Sequence, residues 1–478
     1  MRATPNTQMT YEEGKGFKVA VGTQNPTPDS QVYADIETVT INVFFDGTLN
    51  NIYNANPNSP ATKQSSYDND YSNVGRMYLS VAEQRSPKVR NIYIEGMGTK
   101  RQQADDQDGY ALGTGSTGIK MRAQEAIQQI TDFLYRSHDP LKVRALINVF
   151  GFSRGAATAR HFIHQINTIP YAFESMTFPE KRNGLFRYNV GFVGLFDTVS
   201  SFAHDQKEVM SQSASFTGIQ KEAPFTDDVQ QLGLKFNQND AARVFHLVAG
   251  DEFRINFSLT DIQSAIDLNI GYEVQIPGAH SDIGGGYIND RPEYRDIYSK
   301  NLDFDLTKHL HWWGWFKETE TNKQRRTSGG RQMSEMHYHM WRGNVYNRYY
   351  RVTLRVMLEM VKRYTSIQFP KKDIINYAIE GSTDPWNSLR YLSNEVSQHV
   401  LNHAPKKGER QGVRAPAFKM KYNTDSDCDY SRRIYRNFIH YSSDDSMASG
   451  LTAHLLDIRP NQPRIGTDGR PYRRIFKG

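Results

Sequence analysis

The sequence predicts an α/β fold, a doubly wound and mostly parallel sheet with helical additions towards the C-terminal end. Strand-like apolar segments alternate with helix-like segments up to about residue 290, as in a parallel sheet with crossover helices. Segment 144–150, RALINVF, is an almost continuous apolar run, which is typical of a strand buried on both faces. Beyond about residue 300 the chain is dense in His, Trp, Tyr, Met and Arg, and we predict mainly helices there.

Turn-forming and Gly-rich sequences separate the predicted strands and helices. The first strand, 38–45, is rich in β-branched and aromatic residues and runs into the turn-forming sequence DGTLNN. A Gly-rich loop, GTGSTG at 113–118, precedes a segment with helical periodicity. The remaining strands are predicted at 89–95, 144–150, 190–196, 244–249 and 272–276, and helices at 119–136, directly after residue 153, over 301–364 and near 388–402.

These elements divide the chain into four predicted parts. Residues 1–36 are polar and are predicted to be a flexible or loosely docked arm. Residues 37–300 form the predicted catalytic domain. Residues 301–402 are a mainly helical insertion, lid or membrane-contact region, and residues 403–478 are a basic, loop-rich segment.

Composition excludes several classes of protein. The 478 residues carry a formal net charge of +6, too little to indicate a nucleic-acid-binding protein without a clustered basic face. The single cysteine, Cys428, excludes an intramolecular disulfide and a Cys-based zinc cluster. No apolar run approaches the roughly 18 residues that span a membrane, and the start of the chain lacks a secretory h-region. We therefore expect a chain that is made and folded in the cytoplasm.

The sequence GFSRG, residues 151–155, is the strongest chemical signal. It is a G-x-S-x-G placed between a buried strand and a helix rich in alanine, which is the context of a nucleophile elbow. Side chains at positions 151 and 155 would collide with the neighbouring strand or helix, so glycine is needed at both. Ser153 is therefore the predicted nucleophile, and the fold class becomes α/β-hydrolase-like.

A serine hydroxyl needs a base and an acid to act as a nucleophile. Asp197 directly follows the strand VGFVGLF, and His280 lies in PGAHSDIGGGY just past another strand. Both positions suit the carboxyl edge of a parallel sheet, in the chain order of α/β-hydrolases. The rival acids are Asp46, Asp251, Glu252 and Asp282, and the rival bases are His161, His164, His246 and His440.

Most rivals have a structural interpretation. Asp251 and Glu252, with Arg254, suggest an ion-pair cluster, and Asp282 is expected to orient the loop that carries His280. His246 lies inside a strand and is expected to be a hydrogen-bonded core residue. His161 and His164 lie on the helix after Ser153 and are expected to point away from its hydroxyl. His440 remains the competitor to His280.

An oxyanion hole needs backbone N–H groups that face the developing negative charge. One is expected from Arg154, the residue after the nucleophile, and the other from the turn after the first strand. Asp46, Gly47 or Thr48 is the predicted second donor, although the same sequence also fits an ordinary turn.

The loop GTGSTG matches the glycine spacing of a dinucleotide-binding fingerprint, but no strand precedes it. We interpret it as a tight loop that opens a helix near the active-site rim. We predict no cofactor and no metal site. The segment 306–316 holds Trp312, Trp313 and Trp315 beside basic residues, and it suits either a protein core or a contact with substrate or the membrane surface.

Six motifs together resemble one family, the type VI secretion phospholipase effectors of the first lipase-effector family. They are FFDGTLNN, YIEGMGT, GFSRGAATAR, VGLFDTVSS, HLVAGDEFRINF and PGAHSDIGGGY, spread over about residues 38–290 in the family's order. The resemblance implies an α/β-hydrolase catalytic domain whose nucleophile, acid and histidine are Ser153, Asp197 and His280. Some relatives use calcium, but no compact Asp/Asn loop here requires it.

The resemblance also implies an antibacterial enzyme, injected by a contractile secretion machine, that cleaves acyl esters of glycerophospholipids at the periplasmic membrane face of a target cell. The implied partners are the phospholipid substrate, a cognate immunity protein and a secretion spike or adaptor protein, with no nucleic acid. A phospholipase A of the A1 or A2 type is the expected activity. The alternatives are an esterase of soluble substrates and a non-catalytic binding protein that retains the fold.

Overall fold

The computed structural model describes residues 7–12, 16–21, 36–55, 65–84, 86–106, 109–110, 113–139, 142–168, 187–200, 229–299, 305–328, 331–443, 463 and 470–478. Within these residues a seven-stranded sheet organises the molecule, in the strand order β13-β9-β7-β6-β5-β3-β4, and every adjacent pair is parallel. Its strands are β3 Glu37–Phe45, β4 Val89–Ile94, β5 Val143–Phe152, β6 Arg187–Phe196, β7 Arg243–Ala249, β9 Gly271–Ile276 and β13 Val413–Arg414. The predicted parallel α/β sheet is confirmed.

Helices cover both faces of this sheet. They are α1 Asn73–Val81, α2 Ile119–Ser137, α3 Arg154–Thr168, α4 Gln263–Asp267, α5 His280–Gly284, α6 Leu306–Trp313, α7 Tyr350–Tyr364, α8 Trp386–His403 and α9 Asp425–Asn437. Phe44 and Phe150 face the core formed with α1, α7 and α8, whereas Phe45 and Val149 face the core formed with α2 and α3. Adjacent residues of one strand thus enter opposite cores, which explains why 144–150 is apolar throughout.

The remaining strands form smaller sheets. They are β1 Thr7–Glu12, β2 Gly16–Val21, β8 Leu259–Thr260, β10 Arg291–Ser299, β11 Thr321–Ser328, β12 Arg331–Val345 and β14 Ile475–Phe476. Strands β10, β12 and β11 form an antiparallel sheet in that order.

The helical prediction for 301–364 is wrong over β11 and β12. Tyr338, Met340 and Arg342 are buried, whereas the residues between them, His339 and Trp341, are only half-buried. This alternation has the period of two that defines a strand, and the density of aromatic residues concealed it. The prediction holds for α6 and α7 at the two ends of the segment, and the helix predicted near 388–402 is confirmed as α8.

Two predicted parts at the ends of the chain contain strands. Strands β1 and β2 pair with each other within the predicted N-terminal arm, most of which lies outside the described residues. The C-terminal part returns to the catalytic region, because β13 pairs with β9 and β14 with β8. No helix in the described part of the chain is long and apolar enough to cross a membrane. The four domain boundaries stay predictions.

Candidate active site

Ser153 lies in the sharp turn between β5 and α3, with a backbone φ of +59°. A positive φ is strained for a residue with a side chain. A Cβ on Gly151 would lie 2.6 Å from the Cα of Ala156, and one on Gly155 would lie 2.3 Å from the carbonyl oxygen of Asp46. The predicted reason for both glycines is confirmed, since helix and strand approach too closely for a side chain at either position.

The ends of neighbouring strands bring Asp197 and His280 to the same edge of the sheet. The amide of Ser153 donates to the carbonyl of Phe196 at 3.0 Å, which ties the turn to the residue before Asp197. The Phe152 ring centroid lies 4.7 Å from that of His280. Nδ1 of His280 lies 2.5 Å from Oδ2 of Asp197. The structure therefore places the residues predicted as nucleophile, acid and base at one edge of the sheet.

Burial and neighbouring charges set the protonation of this pair. Burial alone would raise the pKa of Asp197, but the Arg473 guanidinium and His280 overcome this effect and hold the pKa far below its usual range. Burial lowers the pKa of His280, and Asp197 opposes this shift only in part. An ionised carboxylate can only accept, so Nδ1 of His280 carries the proton and Nε2 is left to accept one. Within the described residues, Ser153 Oγ and His280 form no direct hydrogen bond.

The predicted oxyanion donors Asp46 and Gly47 are not supported. The amide of Asp46 donates to the carbonyl of Ile94 at 3.0 Å, and the amide of Gly47 donates to Oδ1 of Asp46 at 2.8 Å. The Asp46 carboxylate also accepts from Ser72 Oγ at 2.5 Å and Tyr93 OH at 2.6 Å, and burial raises its pKa to about 6. Asp46 therefore holds the loop in place through its side chain, and its backbone N–H is already used.

Two other amides remain available, one directly after the nucleophile and one in the loop after β3. Within the described residues, the backbone N–H groups of Thr48 and Arg154 donate to no acceptor. The Arg154 side chain joins the surrounding loops, because its Nε donates to Thr48 Oγ1 at 2.8 Å and its Nη2 to the carbonyl of Tyr110. Tyr110 leads into the loop 113–118, which opens α2 as predicted, with positive φ at Gly113 and Gly115. The described residues thus contain a pair of free amides that could face a developing oxyanion.

Most rival residues have structural partners, although the predicted ion-pair cluster contains Glu252 and Arg254 and not Asp251. His246 is fully buried and lies 2.9 Å from Glu273, and His161 Nδ1 lies 2.6 Å from the carbonyl of Leu232. Glu252 forms a buried ion pair with Arg254 at 2.8 Å.

The remaining acid candidates also have structural contacts. Asp251 accepts from the amide of Gly278 at 2.7 Å. Asp282 accepts from the amide of Ala279 at the start of α5, which fixes the loop that carries His280. The same carboxylate binds His440 Nδ1 at 2.7 Å, so His440 belongs to a second His–Asp pair.

Sequence reasoning missed three contacts from the C-terminal region. Both oxygens of Asp197 bind the guanidinium of Arg473, at 2.6 and 2.9 Å. Ser442 Oγ donates to Glu252, and His440 binds Asp282. The two residues of each contact are between 158 and 276 positions apart in the sequence, so no local sequence pattern connects them.

The three tryptophans occupy different environments. Trp315 is only 2% exposed and packs against Tyr435 and Tyr441, so its prediction as a substrate or membrane contact is wrong. Trp313 is half-buried, whereas Trp312 is 48% exposed and stacks on Tyr422 at a centroid distance of 4.6 Å. Only the first part of the cluster is thus available at the surface. No group of side chains in the described ranges has the arrangement of a metal site.

Comparison with known proteins supports the resemblance seen in the sequence. The family model described as "T6SS, Phospholipase effector Tle1-like, catalytic domain" matches residues 40–177 and 172–304, more than half of the chain. The chain belongs to the Tle1-like phospholipase effectors of the type VI secretion system. As a member of this family it is a hydrolase, a secreted phospholipase effector.

One solved structure extends the likeness in fold of this Tle1-like effector beyond its catalytic region. The structure described as a Tle1 effector bound to the VgrG spike of the type 6 secretion system is 19% identical, covers 99% of both chains and has a TM-score of 0.54. An uncharacterised protein from Pseudomonas aeruginosa is 15% identical, covers 79% of this chain and 52% of its own, and has a TM-score of 0.39. No curated protein matches the effector. At this identity the first structure supports the fold alone.

Proposed function

We propose that this effector is a serine phospholipase of the A type, which hydrolyses acyl esters of membrane glycerophospholipids through an acyl-enzyme intermediate. The observation that carries the proposal is the position of Ser153, at φ +59° in a strand–helix turn, beside the His280–Asp197 pair at 2.5 Å. Such strain is typical of a nucleophile elbow, where it exposes the hydroxyl above the sheet.

In the proposed reaction Ser153 Oγ attacks the acyl carbonyl carbon while His280 Nε2 takes the hydroxyl proton. Asp197 fixes the imidazole in the tautomer with Nδ1 protonated and stabilises the imidazolium that forms. The carbonyl π electrons move to the oxygen, and the free amides of Thr48 and Arg154 stabilise the resulting oxyanion.

The first intermediate collapses when the ester oxygen leaves as the lysophospholipid alcohol, with the proton from His280. Water then attacks the acyl-enzyme, again with His280 as base, and releases the fatty acid and free Ser153. Proton transfers of this kind require a neutral imidazole at the start, which agrees with the lowered pKa of His280.

Products from a mixed-chain phospholipid test the reaction directly. Wild type should release fatty acid and lysophospholipid, detected by mass spectrometry, and their chain lengths report an A1 or A2 cut. Ser153→Ala should lose activity by several orders of magnitude. Ser80→Ala is the matched control, since Ser80 is buried on α1 and donates to Lys371. Full activity in Ser153→Ala would exclude this mechanism.

Two alternative functions can be tested with short-chain esters, vesicles and a fluorophosphonate probe. If the enzyme is an esterase of soluble substrates, it should hydrolyse short-chain esters but gain no rate on vesicles. If it is a non-catalytic binding protein, a fluorophosphonate probe should fail to label Ser153.

The exposed Trp312 supports contact with a lipid surface, because amphipathic rings favour the membrane–water interface. Trp312→Ala should therefore lower the rate on vesicles and leave that on a soluble ester unchanged. Tyr391→Ala is the control, a substitution of another aromatic side chain that is 55% exposed. Equal effects of both substitutions on vesicles would exclude a specific role for Trp312.

The family supports delivery by injection and an antibacterial action at the periplasmic membrane face of a target cell. A cognate immunity protein and a secretion spike or adaptor protein are the proposed partners, the second by likeness to the Tle1 effector described with its spike. Co-purification of the full chain with a VgrG spike protein tests the second partner, and failure to associate at micromolar concentration would argue against it.

A further inference from the structure

The guanidinium of Arg473 binds the acid of the candidate triad in a fork. Nη1 donates to Asp197 Oδ1 at 2.6 Å and Nη2 donates to Oδ2 at 2.9 Å. The Arg473 side chain is 8% exposed, Asp197 is fully buried, and Nε of Arg473 donates to the carbonyl of Phe257 at 2.8 Å. This bidentate geometry fixes the plane of the carboxylate, which a point charge such as lysine would not do.

Arg473 reaches this position because its segment, residues 470–478, docks beside the sheet edge. Strand β14 pairs in parallel with β8, where Ile475 faces Leu259 and Phe476 faces Thr260. The amide of Thr260 in turn donates to the carbonyl of Thr198 at 3.0 Å, next to Asp197. A continuous set of backbone contacts thus connects the docked segment to the triad acid.

Asp197 has no freedom left to rotate once these contacts form. Besides the two Arg473 bonds and His280, Oδ1 accepts from the amide of Ala249 at 2.9 Å. Without the guanidinium, each oxygen would keep a single partner, and the buried carboxylate would lack a fixed counter-charge.

The charged groups that face His280 come from several elements. Asp197 follows β6, Glu252 and Arg254 follow β7, and Arg473 precedes β14 and reaches the imidazole through Asp197. Arg473 binds both oxygens of Asp197, including the Oδ2 that contacts Nδ1 of His280, so it shares the carboxylate charge with the imidazole. Its removal would leave the imidazolium with a stronger anionic partner.

We propose that Arg473 is a positioning residue of this effector, which orients Asp197 for catalysis and makes the site complete only when residues 470–478 are docked. The inference rests on the proposed function of Ser153, Asp197 and His280. It assigns a role in the reaction to a segment more than 160 positions beyond the family match at 40–304.

The test measures kcat/KM against pH for a soluble short-chain ester in the full-length chain. Arg473→Met should lower kcat/KM by about 100-fold through the misplaced carboxylate, and move the acidic limb up by about one pH unit. Arg473→Lys keeps the charge but loses the fork, so its acidic limb should stay near the wild-type position while kcat/KM falls. Lys477→Met, which removes an exposed cation from the same segment, should match wild type.

Several results would overturn the inference. One is wild-type kcat/KM in Arg473→Met. Another is equal loss in Arg473→Met and Arg473→Lys with both acidic limbs unmoved, which would indicate a merely structural role. If Arg473→Met does not fold, the position of the acidic limb in the folded Arg473→Lys variant tests the charge argument instead. A shift of this limb by as much as about one pH unit would contradict that argument. Failure of the proposed function is distinguishable, because then wild type itself would show no hydrolysis that depends on Ser153.

Discussion

The turn at Ser153 depends on a close backbone approach between Gly155 and the end of β3, and Gly155→Ala tests it. A Cβ at position 155 would lie 2.3 Å from the carbonyl oxygen of Asp46 and 2.4 Å from that of Phe45. Both atoms belong to the backbone at the end of β3, so no side-chain rotation can relieve the contact. Helix α3 or the end of β3 must therefore move by about 1 Å to restore an ordinary contact distance.

That movement affects the groups which the proposed mechanism uses. Arg154 starts α3, and Thr48 follows Asp46 in the loop after β3, so the two proposed oxyanion donors would move apart. Misplacement by about 1 Å costs about 100-fold in rate, and overpacking costs about 1–3 kcal/mol of folding free energy. We expect kcat of Gly155→Ala on a soluble short-chain ester to fall about 100-fold.

The assay pairs steady-state hydrolysis with denaturant unfolding, so that loss of rate and loss of folded protein are measured separately. Gly343→Ala is the matched control, because no atom lies within 4 Å of the Cβ it would add. It should retain both wild-type rate and stability. The steric reasoning would be refuted if Gly155→Ala kept kcat within about threefold of wild type with an unchanged unfolding midpoint.

Three further predictions concern pH, the aromatic cluster and the second His–Asp pair. Burial places the pKa of His280 below its usual 6.5, and only the neutral ring can take the serine proton. The midpoint of the acidic limb of kcat/KM should therefore lie below pH 6.5, which a pH–rate profile checks. Trp315→Ala should lower the free energy of unfolding by about 3–5 kcal/mol, whereas Trp312→Ala should change it little, as measured in denaturant. His440→Ala removes a buried partner of Asp282 and should destabilise the chain by about 1–3 kcal/mol, yet fluorophosphonate labelling of Ser153 should persist; loss of labelling in the folded variant would assign His440 to the reaction.

Features that depend on neighbours in the sequence could be predicted. The elbow at Ser153 needs only a strand, two glycines and a small-residue helix, all within about 20 positions. Asp197 and His280 could be proposed because parallel strands bring their carboxyl ends to one edge. The alternating pattern of strand β12 could also have been predicted from the sequence. The density of aromatic residues in this segment led to the prediction of a helix instead.

Features that depend on the tertiary path of the chain could not be predicted. Arg473 and Asp197 are 276 positions apart, and a basic residue in a basic segment gives no sign of its partner. The donors in the loop after β3 were misjudged for a different reason. The position of Asp46 at a turn suggested that its backbone N–H donates to the oxyanion. In the structure its carboxylate fixes the loop instead, by accepting hydrogen bonds from Ser72 and Tyr93.

The guanidinium groups of Arg473 and Arg254 act together on the pKa of His280. Asp197 has Arg473 as its counter-ion and Glu252 has Arg254, so two buried carboxylates are matched by two buried cations. An unmatched buried charge would be costly, and it would also change the basicity of the imidazole. Glu252 accepts from the His280 amide at 3.2 Å, and Arg254 itself lowers the pKa of His280.

Arg254 lies inside the matched catalytic region and Arg473 lies outside it, but the same electrostatic reasoning applies to both. Arg254→Met should therefore raise the pKa of His280, and thus move the acidic limb of kcat/KM to higher pH, in the same direction as Arg473→Met. Each change leaves one buried carboxylate without its cation, so the shift in the double variant should exceed either single shift. A shift of the acidic limb to lower pH in Arg473→Met, with the expected upward shift in Arg254→Met, would show that Arg473 does not act through charge.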